Sequence, residues 1–411
     1  MEVVELFSGI GAQAKALERC NIDHNVLATC DWDINAIIAY DLIHNGPQLD
    51  NLYETMSNEQ LDMAVSALNV SANGKTPMTD SAKHRLSRNV KIKLLYAIER
   101  TNNLLDITEI NGNELPSRID LMTYSFPCQD LSLAGSWHNN SGGIERDSGN
   151  RSSLLWEVER LLYERKNEGI DLPKFLLMEN VTTILSKKHE ESFNEWKMNL
   201  CALGYVNKVL TLDARKFGVP QMRNRTYMLS INCQGMGQGD VEYINRIFDN
   251  LNEEYLARCY PRERFNLEDV IRKDYNNIVY YHEALESNPN RTPSRIEIGR
   301  NNILIDSETS YVPTITTKQD RHPNSGLIEF FTEHANKMNF RYLTPRECFM
   351  IMGFDEDDYQ MLIDNNFLIN KSRYFFTRDK MNKMAGNSIC VNVLESIFEL
   401  IEDIINNLEE L

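Results

Sequence analysis

Val3-Val4-Glu5-Leu6-Phe7-Ser8-Gly9-Ile10-Gly11 begins as a short β-rich apolar run and ends in two glycines one residue apart. Ala12 to Arg19 then follows a helical pattern, so the order is strand, glycine turn, helix. That order returns immediately. Asn25 to Cys30 is apolar, stops at the acidic Asp31, and precedes a helix-like stretch from Ile34 to His44. Repeated strand-then-helix units are what a parallel α/β sheet requires, because parallel strands need crossover connections. Further strands are expected at Ile119 to Tyr124, Phe175 to Met178 and Tyr227 to Ile231, with crossover helices at Ser153 to Lys166 and Ser192 to Leu203. From Ser388 to Leu408, Ile389, Val393, Ile397, Leu400, Ile401, Ile404 and Leu408 share one helical face, which reads as a core-packing helix returning to the first domain.

Two regions break this rhythm. Residues 46–103 are polar and rich in helix formers and read as an inserted helical excursion, within which Lys83, Arg85, Arg88, Lys91 and Lys93 form a basic run. That run fits a solvated helix face or a phosphate-contacting surface. From Asn232 to Asn339 the alternation dissolves into short segments with many Asn, Tyr and Arg, as in a separate loop-rich domain.

With 411 residues, 42% hydrophobic and 25% charged, the chain is long enough for two or three domains and has an ordinary globular composition. No window approaches 18 uninterrupted apolar residues, so a membrane span is not expected. The first residues carry no basic stretch followed by an apolar one; no secretion signal is read, and a cytoplasmic location is expected. The eight cysteines are scattered without a C-x-x-C pair, so reduced thiols and no metal are expected. A net charge of −17 argues against holding nucleic acid by bulk electrostatics, although a locally positive cleft can coexist with an acidic exterior.

The candidate chemistry sits at strand ends. A glycine turn such as Phe7 to Gly11 serves many nucleotides and also plain packing. Asp31 and Asp106, each ending an apolar segment, make it fit an adenosine-containing cofactor, since a carboxylate can take both hydroxyls of a ribose. Neither a third glycine nor a Lys-Ser/Thr pair follows, so no pyrophosphate or triphosphate is indicated. In Tyr124-Ser125-Phe126-Pro127-Cys128-Gln129-Asp130-Leu131-Ser132 a cysteine follows a strand and a proline, which suits either an activated thiolate or a buried structural thiol. The long Gly/Ser/Asn-rich loop from Ala134 to Asn150 fits an element that moves or binds. Phe175 to Val181 delivers Glu179 to the end of an apolar strand, where a carboxyl can act as an acid. Arg223 and Arg225, two residues apart before an apolar strand, should point to one side, as surface pairs or as holders of a polar ring or an acid.

In order and wording these residues resemble the DNA cytosine-5 methyltransferases of bacterial restriction-modification type. Phe7 to Gly11 looks like the family's first cofactor motif, Pro127-Cys128-Gln129 like its nucleophile motif, Glu179-Asn180-Val181 like its acid motif, and Gln221-x-Arg223-x-Arg225 like its paired-arginine motif. Arg341-x-Leu343-Thr344-Pro345-Arg346-Glu347-Cys348 with Met352-Gly353-Phe354 resembles the ninth motif, and Ala385-Gly386-Asn387-Ser388 the tenth.

The resemblance implies an S-adenosylmethionine-dependent methyltransferase (Rossmann-like) α/β fold, a mixed sheet with helices on both faces, plus a smaller irregular target-recognition domain. On that reading residues 1–230 form the catalytic and cofactor-binding domain, with the helical insertion at 46–103; 231–383 form the target-recognition domain; and 384–411 return as a helix. S-adenosylmethionine, leaving as S-adenosylhomocysteine, would meet Phe7, Gly9, Ile10, Gly11, Asp31, Trp32, Asp106, Ile107, Pro127, Leu154, Asn387 and Ser388. Asp31 stands where the family commonly has Glu, and Ala12 replaces a frequent glycine. Cys128 would add to carbon 6 of a flipped-out cytosine, Glu179 would hold nitrogen 3 and the amino group, and Arg225, supported by Arg223, would hold the ring oxygen. Gln129, Ser132, Thr314, Thr316, Lys318 and Arg321 are the candidate DNA contacts. The implied partner is double-stranded DNA at a short specific sequence, with a restriction endonuclease as a functional counterpart; a monomer associated with the nucleoid is expected. A tRNA cytosine-5 methyltransferase shares the motif order and is the alternative.

Overall fold

The computed structural model describes residues 1–49, 51–127, 143–146, 151–321 and 324–409. They divide into two compact units. One comprises Met1–Leu212, Asn224–Tyr260 and Glu395–Leu411, and the other comprises Asp213–Arg223 and Pro261–Leu394.

The first unit is built on a six-stranded sheet. Its strands are β1 (Glu2–Leu6), β2 (Asn25–Cys30), β3 (Leu121–Tyr124), β4 (Phe175–Val181), β5 (Tyr205–Asp213) and, after the two-residue β6 (Gln221–Met222) of the second unit, β7 (Asn224–Asn232). The order is β2-β1-β3-β4-β7-β5. β1 pairs in parallel with β2 and β3, β3 in parallel with β4, and β4 antiparallel with β7. The chain therefore moves from β1 to one side, then returns to fill the other. That reversal opens a crevice beyond the carboxyl ends of β1 and β3, where parallel sheets bind ligands.

Side-chain alternation assigns the two faces. Val4 and Leu6 of β1, Met122 and Tyr124 of β3, and Leu176 and Met178 of β4 enter one core with Trp156, Leu161, Phe193 and Trp196 from the crossover helices Leu155–Asn167 and Glu190–Ala202. Glu5 points to the opposite face and meets Tyr40 of α2 (Ile34–Asn45). This helix is apolar almost all round, as a buried helix must be, and Asp33 caps it by accepting from the Asn35 amide at 3.0 Å. The chain's last helix, Val391–Glu409, presents Glu395 to Arg19 of α1 (Ala12–Arg19) at 2.8 Å.

Three elements depart from the sequence reading. β5 is a strand whose residues 206–209 are half-buried and include Asn207 and Lys208, so its apolar signal is weak. Residues 232–339, read as irregular, hold the helices Gln238–Asn250, Glu253–Cys259, Ile278–Ser287 and Pro293–Asn301, the first two within the first unit. The basic run of the insertion divides, with Lys83 and Lys91 buried and Arg85 and Arg88 exposed. Lys83 donates to the Ser66 carbonyl at 3.0 Å, Lys91 pairs with Asp62, and Arg88 reaches the carbonyls of Glu54 at 2.9 Å and Met56 at 2.7 Å. These cations staple the insertion helices Asn58–Ser66, Asp80–His84 and Arg88–Arg100 around a small core of Leu61, Val65, Ile92 and Leu95.

Among the described residues no helix is long and apolar enough to cross a membrane, no cluster of acids, histidines or cysteines could hold a metal, and no disulfide is present.

Burial of Glu5 sets a pH dependence. Desolvation pushes its carboxyl up from 4.5 to about 8, against the opposing pull of the Tyr40 hydroxyl and the Ala14 backbone. A carboxyl whose pKa is raised by folding contributes stability that is complete below its unfolded pKa and is lost as pH rises through the folded one. Between pH 5 and 8 the wild type is expected to lose stability relative to Glu5→Gln by up to about 1.4 kcal/mol per pH unit. Urea midpoints of the two proteins measured across that range check the slope; parallel curves would refute it.

Candidate active site

The glycine turn leaves β1 through three left-handed residues, Phe7, Gly9 and Gly11. Phe7 lies at φ 56, a conformation that costs a non-glycine residue energy and concentrates at functional sites. Gly9 lies at φ 57, and a Cβ built there would meet nothing within 4 Å. Gly11 lies at φ 77, and its Cβ would stand 2.1 Å from His44 Nε2 and 2.7 Å from Tyr40 Cε2. Gly11 thus allows α1 to pack on α2, where His44 bonds the Ile10 carbonyl at 3.0 Å, while Gly9 keeps space open beyond β1. Gly11→Ala is expected to cost about 2–4 kcal/mol of stability, from a steric clash added to backbone strain. Gly9→Ala should cost about 1–2 kcal/mol from strain alone. Urea unfolding of both variants separates the clash from the strain; equal losses would refute the packing role of Gly11.

Asp31 follows β2 and folds back on the turn. Its Oδ2 accepts from the Gly9 amide at 3.0 Å and its Oδ1 from the Asp33 amide at 2.8 Å. Asn103, absent from the sequence reading, ties this acid to the next one. Its Oδ1 accepts from the Asp31 amide at 3.4 Å and the Leu105 amide at 2.8 Å, which holds 103–106 alongside the end of β2 and sets Asp106 near Asp31. Burial, reinforced by both carboxylates, pushes the Cys30 thiol far up. Open space at Gly9 with Asp31 beside it, and Asp106 held on the segment alongside the end of β2, offer carboxylates able to accept from hydroxyls and an amine, which fits an adenosine-containing group. Trp32 is half-buried and Leu154 packs against the core at the start of the helix Leu155–Asn167. Ile10 and Ile107 are buried, the latter within the main core.

The acid sits on the adjoining strands. In the β4–β7 register Glu179 faces Tyr227 and Val181 faces Arg225, so Glu179 and Arg225 are diagonal neighbours on one face. Arg225 Nε lies 3.3 Å from Glu179 Oε1, and the Ser125 hydroxyl donates to Glu179 Oε2 at 2.7 Å. Asn180 donates to the Phe126 carbonyl at 3.0 Å, and Ser152 donates to the Pro127 carbonyl at 2.9 Å. The strand carrying the acid and the turn leading to Cys128 are therefore fastened together. Cys128, Gln129 and Ser132 lie outside the described residues, as does most of the loop after them; within it, Ile144 is buried and its carbonyl takes the Trp156 indole N–H at 2.8 Å.

The two arginines separate, contrary to the spacing argument. Arg223 lies between β6 and β7, where strand alternation does not carry through. Its guanidinium is buried in the second unit, donating to the carbonyls of Ile315 at 3.0 Å, Gly386 at 3.3 Å and Ser388 at 2.7 Å. Arg225 belongs to the first unit with Glu179. Asn387 is exposed, and Ser388 is buried beside Arg223. Thr314 donates to the Met222 carbonyl at 2.6 Å and Thr316 to the Lys318 carbonyl at 2.8 Å, while Lys318 and Arg321 are exposed.

The six-stranded sheet has the fold of the S-adenosylmethionine-dependent methyltransferases. The Dnmt2 methyltransferase of S. pombe superposes with a TM-score of 0.59 over 99% of both chains at 18% identity, and the Entamoeba histolytica methyltransferase EhMeth at 0.56 over 98% of both at 16%. The family model for C-5 cytosine-specific DNA methylase matches residues 85–403. The orphan methyltransferase M.SssI of Spiroplasma monobiae is 33% identical over 417 residues, covering 98% of this chain and 97% of its own. The type II methyltransferase M2.ScrFI of Lactococcus lactis subsp. cremoris is 29% identical over 406 residues, covering 97% and 98%. The chain belongs to the C-5 cytosine-specific DNA methylase family and is a DNA (cytosine-5-)-methyltransferase.

Proposed function

We propose that the enzyme methylates carbon 5 of a cytosine flipped out of one short, specific sequence of double-stranded DNA, through a covalent adduct between Cys128 and carbon 6. The observation that carries this reading is the assembly of Ser125, just after β3, with Glu179 of β4 and Arg225 of β7, bolted by Asn180 to the turn that enters Cys128. Carbon 5 of cytosine is too weak a nucleophile to take a methyl group unaided. A thiolate adding at carbon 6 pushes electron density toward carbon 5 and places charge on the ring's nitrogen 3 and carbonyl oxygen. Glu179, acting as the acid, gives a proton to nitrogen 3 and accepts from the exocyclic amine, and Arg225, fixed beside it, faces the ring oxygen; both counter charge where it develops. Bound S-adenosylmethionine supplies an electrophilic methyl group. A base, water included, then takes the carbon 5 proton, the electron pair of that bond expels Cys128 as thiolate, and nitrogen 3 returns its proton to Glu179, which restores the ring. Because a thiol cannot reach carbon 6 inside a stacked duplex, the base leaves the helix first.

Phe7, Gly9, Asp31 and Asp106 bind the cofactor on this reading, with no metal. Arg223 acts by holding Ile315, Gly386 and Ser388, hence the loop bearing Thr314, Thr316, Lys318 and Arg321, which meets DNA. Incubating the purified protein with S-adenosylmethionine and unmethylated genomic DNA, with bulk tRNA in parallel, followed by bisulfite sequencing, tests the proposal. Protected cytosines in one recurrent short context support it. Unprotected DNA with protected tRNA would overturn the substrate assignment in favour of a tRNA enzyme.

A further inference from the structure

The insertion at 46–103 has a part that reaches the cofactor acids. Asn69 is half-buried, and its Nδ2 lies 2.8 Å from Asp106 Oδ2 and 2.8 Å from Glu109 Oε1. Asp106 Oδ1 accepts from the Thr108 amide at 3.0 Å and its hydroxyl at 2.9 Å. The carboxylate is thus clamped through both oxygens, with one of the clamps delivered by the insertion. The segment beside Asn69 is itself locked to the residues following Asp31. The Ser71 amide donates to the Trp32 carbonyl at 2.7 Å, the Ile34 amide to the Ser71 carbonyl at 2.9 Å, and Asn35 Nδ2 to the Ala72 carbonyl at 3.1 Å. Ser71 Oγ donates to the Thr76 carbonyl at 2.6 Å, closing the loop on itself.

We infer that the insertion forms one wall of the adenine subsite, and that Asn69 is a positioning residue that orients Asp106 to accept the 6-amino group of the purine. The inference rests on the reading of Asp106 as the adenine-amino acceptor. A carboxylate held in one plane accepts a hydrogen bond from a 6-amino group and repels a 6-oxo group, whose lone pairs would face its oxygens. A carboxylate free to rotate discriminates less, because it can turn away from the wrong base. The insertion therefore tightens selection of adenosine over inosine without itself touching the base.

The test is calorimetric titration of S-adenosylhomocysteine and S-inosylhomocysteine into the full-length wild type, Asn69→Ala, Asn69→Asp and Asp106→Ala. Asn69→Ala is expected to weaken S-adenosylhomocysteine about tenfold, the size of one charge-assisted hydrogen bond, and to leave S-inosylhomocysteine bound as tightly as before or more tightly. The retained inosine affinity doubles as evidence that the variant is folded. Asn69→Asp, which sets a third carboxylate beside Asp106 and Glu109, is expected to lose at least as much. Asp106→Ala should collapse the preference altogether. If Asp106→Ala does so while Asn69→Ala keeps wild-type affinities, or loses both ligands equally, the inference fails and the role of Asp106 stands. If Asp106→Ala retains the full preference, the reading of Asp106 fails and takes the inference with it.

Discussion

Cys128→Ser is expected to lower methyl transfer by at least about 10³-fold while leaving S-adenosylhomocysteine affinity within about twofold. A serine hydroxyl ionises far less readily than a thiol and is a poorer nucleophile toward an electron-poor ring carbon, so the attack at carbon 6 is lost. The groups proposed to hold the cofactor are untouched, because Phe7, Asp31 and Asp106 depend on β1, β2 and Asn103. The backbone entering position 128 should also persist, since its carbonyls at Phe126 and Pro127 are held by Asn180 and Ser152, whichever side chain follows. Single-turnover transfer of a labelled methyl group to DNA, alongside ligand titration, checks both halves. Turnover within tenfold of wild type would remove Cys128 from the mechanism.

Glu347→Ala is expected to destabilise the second unit by about 3–5 kcal/mol, because it strands a buried cation. Arg341 and Glu347 are both fully buried and joined by two bonds of 2.8 Å, Nη1 to Oε2 and Nη2 to Oε1. Glu347 also accepts from the Thr344 amide and the Arg272 amide, each at 2.8 Å, while Arg341 donates to the Arg272 carbonyl at 3.1 Å. One ion pair therefore joins the start of the helix Pro345–Ile351 to the chain at Arg272. Replacing both partners together, Arg341→Met with Glu347→Leu, should recover much of the loss, since removing a buried pair whole costs less than halving it. Hydrogen exchange at the Arg272 and Thr344 amides, compared among wild type, single and double variants, reports the effect locally. Protection unchanged in Glu347→Ala would show that Arg341 finds water.

The sheet was legible wherever a strand is buried on both sides, as at Val3 to Leu6 and Phe175 to Met178, because apolar runs bounded by glycine or acid leave few alternatives. β5 escaped because it lies at the sheet edge and carries Asn207 and Lys208 among its half-buried positions. Glu179 and Arg225 could be named from their strands. Their partners could not: Ser125 meets Glu179 across 54 residues, and Asn69 meets Asp106 across 37, through contacts that only the folded chain creates. The arginine pair shows the limit of periodicity. Spacing of two implies a shared face only inside one continuous strand, and the break before β7 sends Arg223 to the carbonyls of Gly386 and Ser388 instead.

The division of the chain bears on how such enzymes could trade specificities. The second unit consists of Pro261–Leu394 and the short finger Asp213–Arg223, which interrupts the first unit between β5 and β7. A transplant of 261–394 from a relative would keep the host's Gln221 and Arg223 facing foreign partners, since Gln221 Oε1 takes the Ile315 amide at 2.8 Å and Arg223 three backbone carbonyls of that segment. On the proposed reading, in which the second unit meets DNA, exchange of sequence preference by recombination would thus need two crossovers at the finger as well as two around the larger piece. Chimeras assembled with both pieces from one parent are the ones that should come out of the ribosome as working enzymes.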